Sequence, residues 1–259
     1  MNLALENKVI LVSGGSKGIG RAISECLAQE GAIPFVVSRN KDSLEEMQRS
    51  FDQKKWPLGT FQAELTVPNA CEAAVAQAVS EFGHLDGLVN NAGINDSVGL
   101  EKGNYNAFMQ SLERNVVHYY LLAHHALSHL KKTKGAIVNI GSKVATTGQG
   151  NTSGYAAANG GRNALTREWA LELLPYSIRV NAVIVAESYT PLYEKWIQTL
   201  PNPEETLKKI TDKIPLENRM TDPMEIANAV TFLLSERSTH TTGQLLYVDG
   251  GYTHLDRAL

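Results

Sequence analysis

Short apolar runs rich in β-branched residues alternate along this chain with longer amphipathic stretches. The runs occupy 8–13 (KVILVS), 33–38 (IPFVVS), 60–65, 86–90 (DGLVN), 136–140 (AIVNI), 178–184 (IRVNAVI) and 244–248 (QLLYV). They are apolar at successive positions rather than alternate ones, so they read as strands covered on both faces, as in a parallel sheet. Between them, 18–29, 42–54, 69–82, 105–131, 154–174 and 223–234 read as amphipathic helices. Seven strands interleaved with six helices predict an α/β chain: a doubly wound Rossmann fold whose seven-stranded parallel sheet carries helices on both faces, as a single domain over 1–259. One stretch breaks the rhythm. Residues 186–221 are too long for an ordinary connection and contain Pro191, Pro201 and Pro203, so a partly helical functional loop, an insertion for substrate, is expected there.

Composition narrows the classes. A chain of 259 residues, 43% hydrophobic, supports one sizeable core. A formal net charge of -3 gives no electrostatic footprint for nucleic acid or anionic lipid. Cys26 and Cys71 are too few for a disulfide framework and fall inside helical patterns, where they read as small buried hydrophobes. The start, Met1 to Glu6, lacks the basic and apolar segments of a signal peptide, and no apolar run is long enough for a membrane span. A cytoplasmic protein is therefore expected. His125 and His129 have an i, i+4 spacing that chelates metals, but no glutamate or cysteine stands among His124, His125 and His129, so no metal is expected.

Chemistry begins directly after the first strand, at Ser13-Gly14-Gly15-Ser16-Lys17-Gly18-Ile19-Gly20. Glycines there permit a tight turn and close approach of backbone to a pyrophosphate, and the following helix start offers free N–H groups and a positive dipole end. A glycine-rich loop in this strand-to-helix context predicts a dinucleotide site. Discrimination between dinucleotides is expected at the tip of the second strand, Ser38-Arg39-Asn40, which has no carboxylate to hold ribose hydroxyls. Arg39 and Lys17 can pair with a 2′-phosphate, which favours NADP, with NAD the alternative.

Together these residues resemble the short-chain dehydrogenase/reductase family. The loop matches its TGxxxGxG signature with Ser13 for threonine, and Asn90-Asn91-Ala92-Gly93 matches its NNAG segment. Asn115 matches the helix asparagine that anchors a proton-relay water, and Ser142 stands thirteen residues before Tyr155, as the family's catalytic serine and tyrosine do. The resemblance covers essentially the whole chain. It implies catalysis by Ser142, Tyr155, Asn115 and the residue at 159. It also implies cofactor contacts from Gly14, Ser16, Lys17, Gly18, Ile19, Gly20, Ser38, Arg39, Glu64, Leu65, Asn91, Ala92, Gly93, Tyr155, Asn159, Val185 and Thr190. Tyrosine titrates near pH 10, so proton transfer near neutrality needs a depression of roughly three units, about 4 kcal/mol. The family supplies much of this with a lysine four residues after the tyrosine; here Asn159 stands there, able to hydrogen-bond a ribose but uncharged. Three readings follow: a slow or alkaline-shifted enzyme helped by the positive ring of the oxidised cofactor; substitution by another cation, Arg162 or Lys143; or cofactor binding without turnover.

The expected substrate-facing side chains are Asn95, Ser142, Lys143, Gln149, Tyr155, Glu187 and Trp196, a polar set suited to hydroxyl groups. Segments 111–115, 118–120, 148–155, 165–170 and 248–259 resemble the bacterial L-fucose dehydrogenases within this family, which oxidise the anomeric carbon of a 6-deoxyhexose to a lactone. The resemblance implies an NAD(P)-dependent oxidoreductase acting on an L-fucose-like aldose. It also implies a homotetramer, with the apolar C-terminal strand region in a second interface; separately, the charged tail after Gly251 is expected over a neighbouring site. A non-catalytic nucleotide-binding protein and a reductase of another small carbonyl compound are the alternatives.

Overall fold

The computed structural model describes residues 2–255; Met1 and 256–259, the end of the charged tail expected over a neighbouring site, lie outside them. Seven parallel strands form one sheet: β1 (Val9–Ser13), β2 (Ile33–Ser38), β3 (Gly59–Gln62), β4 (Gly87–Asn90), β5 (Ala136–Ser142), β6 (Arg179–Val185) and β7 (Leu245–Val248). Their order is β3-β2-β1-β4-β5-β6-β7. The chain winds outward from β1 in one direction and from β4 in the other, so the carboxyl ends of these two strands open a crevice at the point where the winding reverses.

Side-chain alternation explains why the strands are mostly apolar on both faces. Ile10 and Val12 pack with Val138 and Val183 against Ile23 and Leu27 of α1 (Gly18–Gln29) and Ile226 and Val230 of α9 (Pro223–Leu234). Val9 and Leu11 point the other way. They meet Val75 of α3 (Ala70–Phe82), Leu122 and Leu130 of α5 (His118–Thr133), and Trp169 of α6 (Ser153–Glu172). A flanking cluster seats Met47 and Phe51 of α2 (Lys41–Lys54) on Val36. Both faces are thus buried, and the polar side chains Asn90 of β4 and Asn139 of β5 are buried too, with Asn90 Nδ2 donating to Asn139 Oδ1 at 3.0 Å.

Two features refine the expected elements. The helix expected over 105–131 is interrupted: α4 (Tyr105–Leu112) passes into α5 through a π-helical turn, Glu113–Val117. Such turns widen the helix and redirect a carbonyl, and they recur at functional positions. The stretch 186–221 contains two short helices, α7 (Pro191–Ile197) and α8 (Pro203–Thr211), each started by proline. Proline fits the first helical turn, where its missing N–H breaks no bond.

Candidate active site

The crevice above β1 and β4 is a cavity of about 590 Å³, within the range of small-molecule sites. Its floor is the β1–α1 loop. Gly14 and Gly18 adopt φ of +65° and +53°, a region costly for side chains other than glycine. A Cβ on Gly20 would lie 2.2 Å from the Gly14 carbonyl oxygen, so only glycine permits this loop closure. Lys17 begins α1 without a side-chain cap, and no acidic residue occupies the first turn, so the helix N–H groups remain available to phosphate. The serine that stands for threonine at 13 ties the loop to the NNAG segment. Its Oγ accepts from Asn91 N at 2.9 Å and Ala92 N at 3.1 Å, while Asn91 Nδ2 donates to the carbonyls of Ser13 (2.9 Å) and Gly14 (3.2 Å). These features fit a pyrophosphate-bearing dinucleotide.

At the β2 tip, Ser16 Oγ lies 2.8 Å from Ser38 Oγ and 2.9 Å from Ser43 Oγ. Arg39 is exposed and donates to Glu64 Oε2 at 3.3 Å. Residues Gly14, Ser16, Lys17, Gly18, Ile19, Gly20, Ser38, Arg39, Glu64, Leu65, Asn91, Ala92, Gly93, Val185 and Thr190 all line the cavity, together with Ser142 and Tyr155. Register places Ser142, at the end of β5, directly beside Val185 of β6. Tyr155 reaches the same wall from the first turn of α6.

Two of the expected site residues lie behind that wall. Asn115 is fully buried in the π-helical turn; its Nδ2 donates to the Ser111 carbonyl at 2.9 Å and its Oδ1 accepts from Ile94 N at 2.8 Å. Asn159, also fully buried, turns back along its own helix and donates from Nδ2 to the Tyr155 carbonyl at 2.9 Å. Between them lies Arg162, which does line the cavity although only 3% of it is exposed. Its Nε donates to the Asn115 carbonyl (2.6 Å), and its Nη1 to the Ile140 carbonyl and Asn159 Oδ1 (both 3.1 Å).

The expected substrate residues divide. Lys143 Nζ is paired with Glu187 Oε1 and lies 3.7 Å from the centroid of the Tyr252 ring. Burial, reinforced by the Glu187 charge, pushes the Tyr193 phenol above its ordinary range. Trp196 stacks edge-on to Tyr193 at 5.1 Å, so Lys143, Glu187, Tyr193, Trp196 and Tyr252 form one polar-aromatic cluster beside the cavity. Asn95 and Gln149 are exposed on two adjacent loops, joined where Gly154 N donates to the Val98 carbonyl at 3.2 Å.

Sequence reasoning did not single out His118, Arg114, Tyr193 or Lys195, all on the cavity wall. His118 donates from Nε2 to the Arg114 carbonyl at 3.0 Å, and burial holds its imidazole down at about 4, so it is neutral near pH 7. No local signal marks it, because its burial comes from packing against distant elements. Among the described residues no group of three or more His, Cys, Asp or Glu side chains could hold a metal, and no helix is long and apolar enough to cross a membrane.

Comparison with known proteins agrees with this arrangement. A family model described as enoyl-(acyl carrier protein) reductase matches residues 14–253. The L-fucose dehydrogenase of Rattus norvegicus is 37% identical over 245 residues, which are 94% of this chain and 88% of that one. The crystal structure of Cj0485 dehydrogenase matches with a TM-score of 0.94 and 42% identity, covering 100% of this chain and 99% of that one. The ligand-free aldohexose dehydrogenase of Thermoplasma acidophilum matches with a TM-score of 0.89 and 29% identity over 100% of this chain and 99% of its own.

Proposed function

Because the chain belongs to the short-chain dehydrogenase/reductase family of nicotinamide-dependent oxidoreductases, we propose that it oxidises an aldose of the L-fucose type at the anomeric carbon, giving a lactone, with NADP as acceptor. The observation that carries this reading is the placing of Ser142 and Tyr155 on one wall of the dinucleotide cavity, beside a cluster of donors, acceptors and aromatic faces. The nicotinamide, when bound, supplies the hydride acceptor. Tyr155 Oη takes the proton of the anomeric hydroxyl, and Ser142 Oγ hydrogen-bonds the same oxygen as its bond to carbon becomes double. Lys143 and Glu187 offer a donor and an acceptor to ring hydroxyls, while Trp196 and Tyr193 offer apolar faces to the ring's C–H groups.

Exposed Arg39 and Lys17 supply the charge for a 2′-phosphate. Residues 186–221 form the substrate loop, whose Thr190 packs against Gly18 and caps α7 through its Oγ1. We place the protein in the cytoplasm as a homotetramer, which suits its two free buried cysteines and the exposed Tyr105, Phe108, Val117 and Tyr120 of the α4–α5 region. Cofactor binding without turnover is the second reading, and uncharged, buried Asn159 is the observation that favours it. The test is turnover of an aldose panel with NADP, with the product identified by NMR. Formation of a lactone from L-fucose or an epimer supports the reading. Cofactor binding with no aldose turned over overturns it.

A further inference from the structure

Charge is distributed unevenly around the cavity. Five of its lining side chains are cationic, Lys17, Arg39, Arg114, Arg162 and Lys195, and one, Glu64, is anionic. A cleft lined by one sign of charge concentrates ions of the other, so this one suits a polyanion. Most of the cations are already engaged. Arg39 meets Glu64, Arg114 Nη1 lies 3.9 Å from Asp96 Oδ2, and Arg162 donates to the Asn115 and Ile140 carbonyls. Lys17 and Lys195 are exposed and form no ion pair among the described residues. Lys17 adjoins Ser16, whose Oγ lies 2.8 Å from Ser38 Oγ, and so belongs to the 2′-phosphate end. Lys195 is unassigned.

Lys195 is carried by α7, within the 186–221 stretch. Residues three and four apart share a helix face, which groups Pro191, Leu192 and Lys195, and all three line the cavity. The start of the helix is set against the phosphate loop. Thr190, its N-cap, accepts from Tyr193 N, and a Cβ on Gly18 would lie 3.3 Å from Thr190 Cβ. Lys195 follows five residues later, about 7.5 Å along the axis. A second observation points to a ligand on this wall. Ser188 lines the cavity and is only 6% exposed, and its Oγ is sealed from solvent without a hydrogen-bond partner. Such groups are rare, because nothing offsets their desolvation until a partner arrives. An unpaired ammonium and an unused hydroxyl thus leave the 188–195 wall to be completed by what the cavity holds.

We propose that Lys195 is a ligand of the dinucleotide pyrophosphate. The α1 N-terminus offers directional N–H donors but only about half a positive charge, against the two negative charges of the bridging phosphates. The phosphate loop adds no side-chain charge at Gly14, Gly15, Gly18 or Gly20. Lys195 supplies the missing cation from the substrate loop. Bound cofactor therefore also holds the helix whose adjoining face carries Tyr193 and Trp196, edge-on at 5.1 Å. This assignment rests on the cavity being the dinucleotide site.

The test is binding, read by isothermal titration calorimetry on full-length protein at low and moderate salt, with NAD, NADP and ADP-ribose. All three contain the pyrophosphate, NADP alone has the 2′-phosphate, and ADP-ribose lacks the nicotinamide. Lys195→Gln is expected to weaken all three alike, by about tenfold at low salt, the scale of a charge-assisted hydrogen bond. The loss should narrow as salt rises, and Lys195→Arg, which keeps the charge, should bind within about threefold of the parent. Because Lys195 is exposed, the variant folds, and unchanged circular dichroism checks this. Equal affinities of the parent and folded Lys195→Gln overturn the proposal. So does a loss confined to NADP, which places the lysine at the 2′-phosphate, or one absent with ADP-ribose, which places it at the nicotinamide. In each of these cases the parent still binds dinucleotide. A parent that binds none of the three ligands overturns the dinucleotide reading and the proposal with it.

Discussion

Cofactor choice should turn on one exposed ion pair. Arg39 and Glu64 meet at 3.3 Å with about 72% and 42% of their side-chain surfaces in solvent. Pairs this exposed stabilise by only ~0–1 kcal/mol, so Glu64 holds Arg39 weakly. Transfer of the guanidinium to a 2′-phosphate exchanges that contact for charge-assisted bonds contributing ~1.5–3 kcal/mol. Arg39→Ala should therefore weaken NADP binding by roughly 10- to 100-fold and leave NAD binding within about threefold. Glu64→Gln frees Arg39 from its competitor and removes a negative charge beside the phosphate, so NADP should bind up to about fivefold tighter. Dissociation constants for both dinucleotides, measured by quenching of protein fluorescence at low and moderate salt, read this out. The NADP advantage should shrink as salt rises. Equal weakening of both dinucleotides by Arg39→Ala, or weaker NADP binding in Glu64→Gln, would refute this account of the β2 tip.

Gly20→Ala should abolish binding of either dinucleotide while circular dichroism stays unchanged, because its Cβ would fall 2.2 Å from the Gly14 carbonyl oxygen and 2.5 Å from Asn91 Nδ2; retained binding would show that the loop can open. Lys143→Met should raise KM for the sugar at least about tenfold, the scale of a charged hydrogen bond, with NADP affinity unchanged; an equal effect on NADP would place Lys143 on the cofactor side. His118 has a folded pKa of about 4 against an ordinary value of 6.5, so below that ordinary value the unfolded chain takes up a proton the native protein does not. Stability is full above about pH 6.5 and falls as pH drops toward 4, by up to about 3 kcal/mol from this group. His118→Gln should flatten urea-unfolding stability over that window, and an unchanged slope counts against a buried neutral imidazole.

The sheet was legible because its strands are buried on both faces, which writes runs such as VILV at β1 and AIV at β5 into the chain. The glycine loop after β1 marks the floor of the cavity; the strand order was not legible in the sequence. Helix continuity was less legible. Nothing in the spacing around Asn115 distinguishes a π-helical turn from ordinary helix, because the extra residue is accommodated by contacts with Ile94 and Arg162 from elsewhere in the chain. The same holds for the site. Ser142 and Tyr155, picked out by the family resemblance, both line the cavity. Asn159, expected against the ribose, has its amide engaged by Tyr155 and Arg162 instead, since a short side chain is satisfied locally before it reaches the cavity. The Lys143–Glu187–Tyr193–Tyr252 cluster joins three segments distant in the chain, so the pairing leaves no local pattern.

The most direct test of the central claim compares the parent protein with Tyr155→Phe, reading NADP reduction by absorbance in the presence of L-fucose and NADP affinity by fluorescence on the same samples. The expected result is sugar-dependent reduction by the parent, its loss by at least about a hundredfold in Tyr155→Phe, the scale of general acid–base catalysis, and unchanged NADP affinity. Equal turnover by the two proteins would contradict Tyr155 as the proton acceptor, and tight NADP binding without turnover by the parent would contradict the dehydrogenase itself.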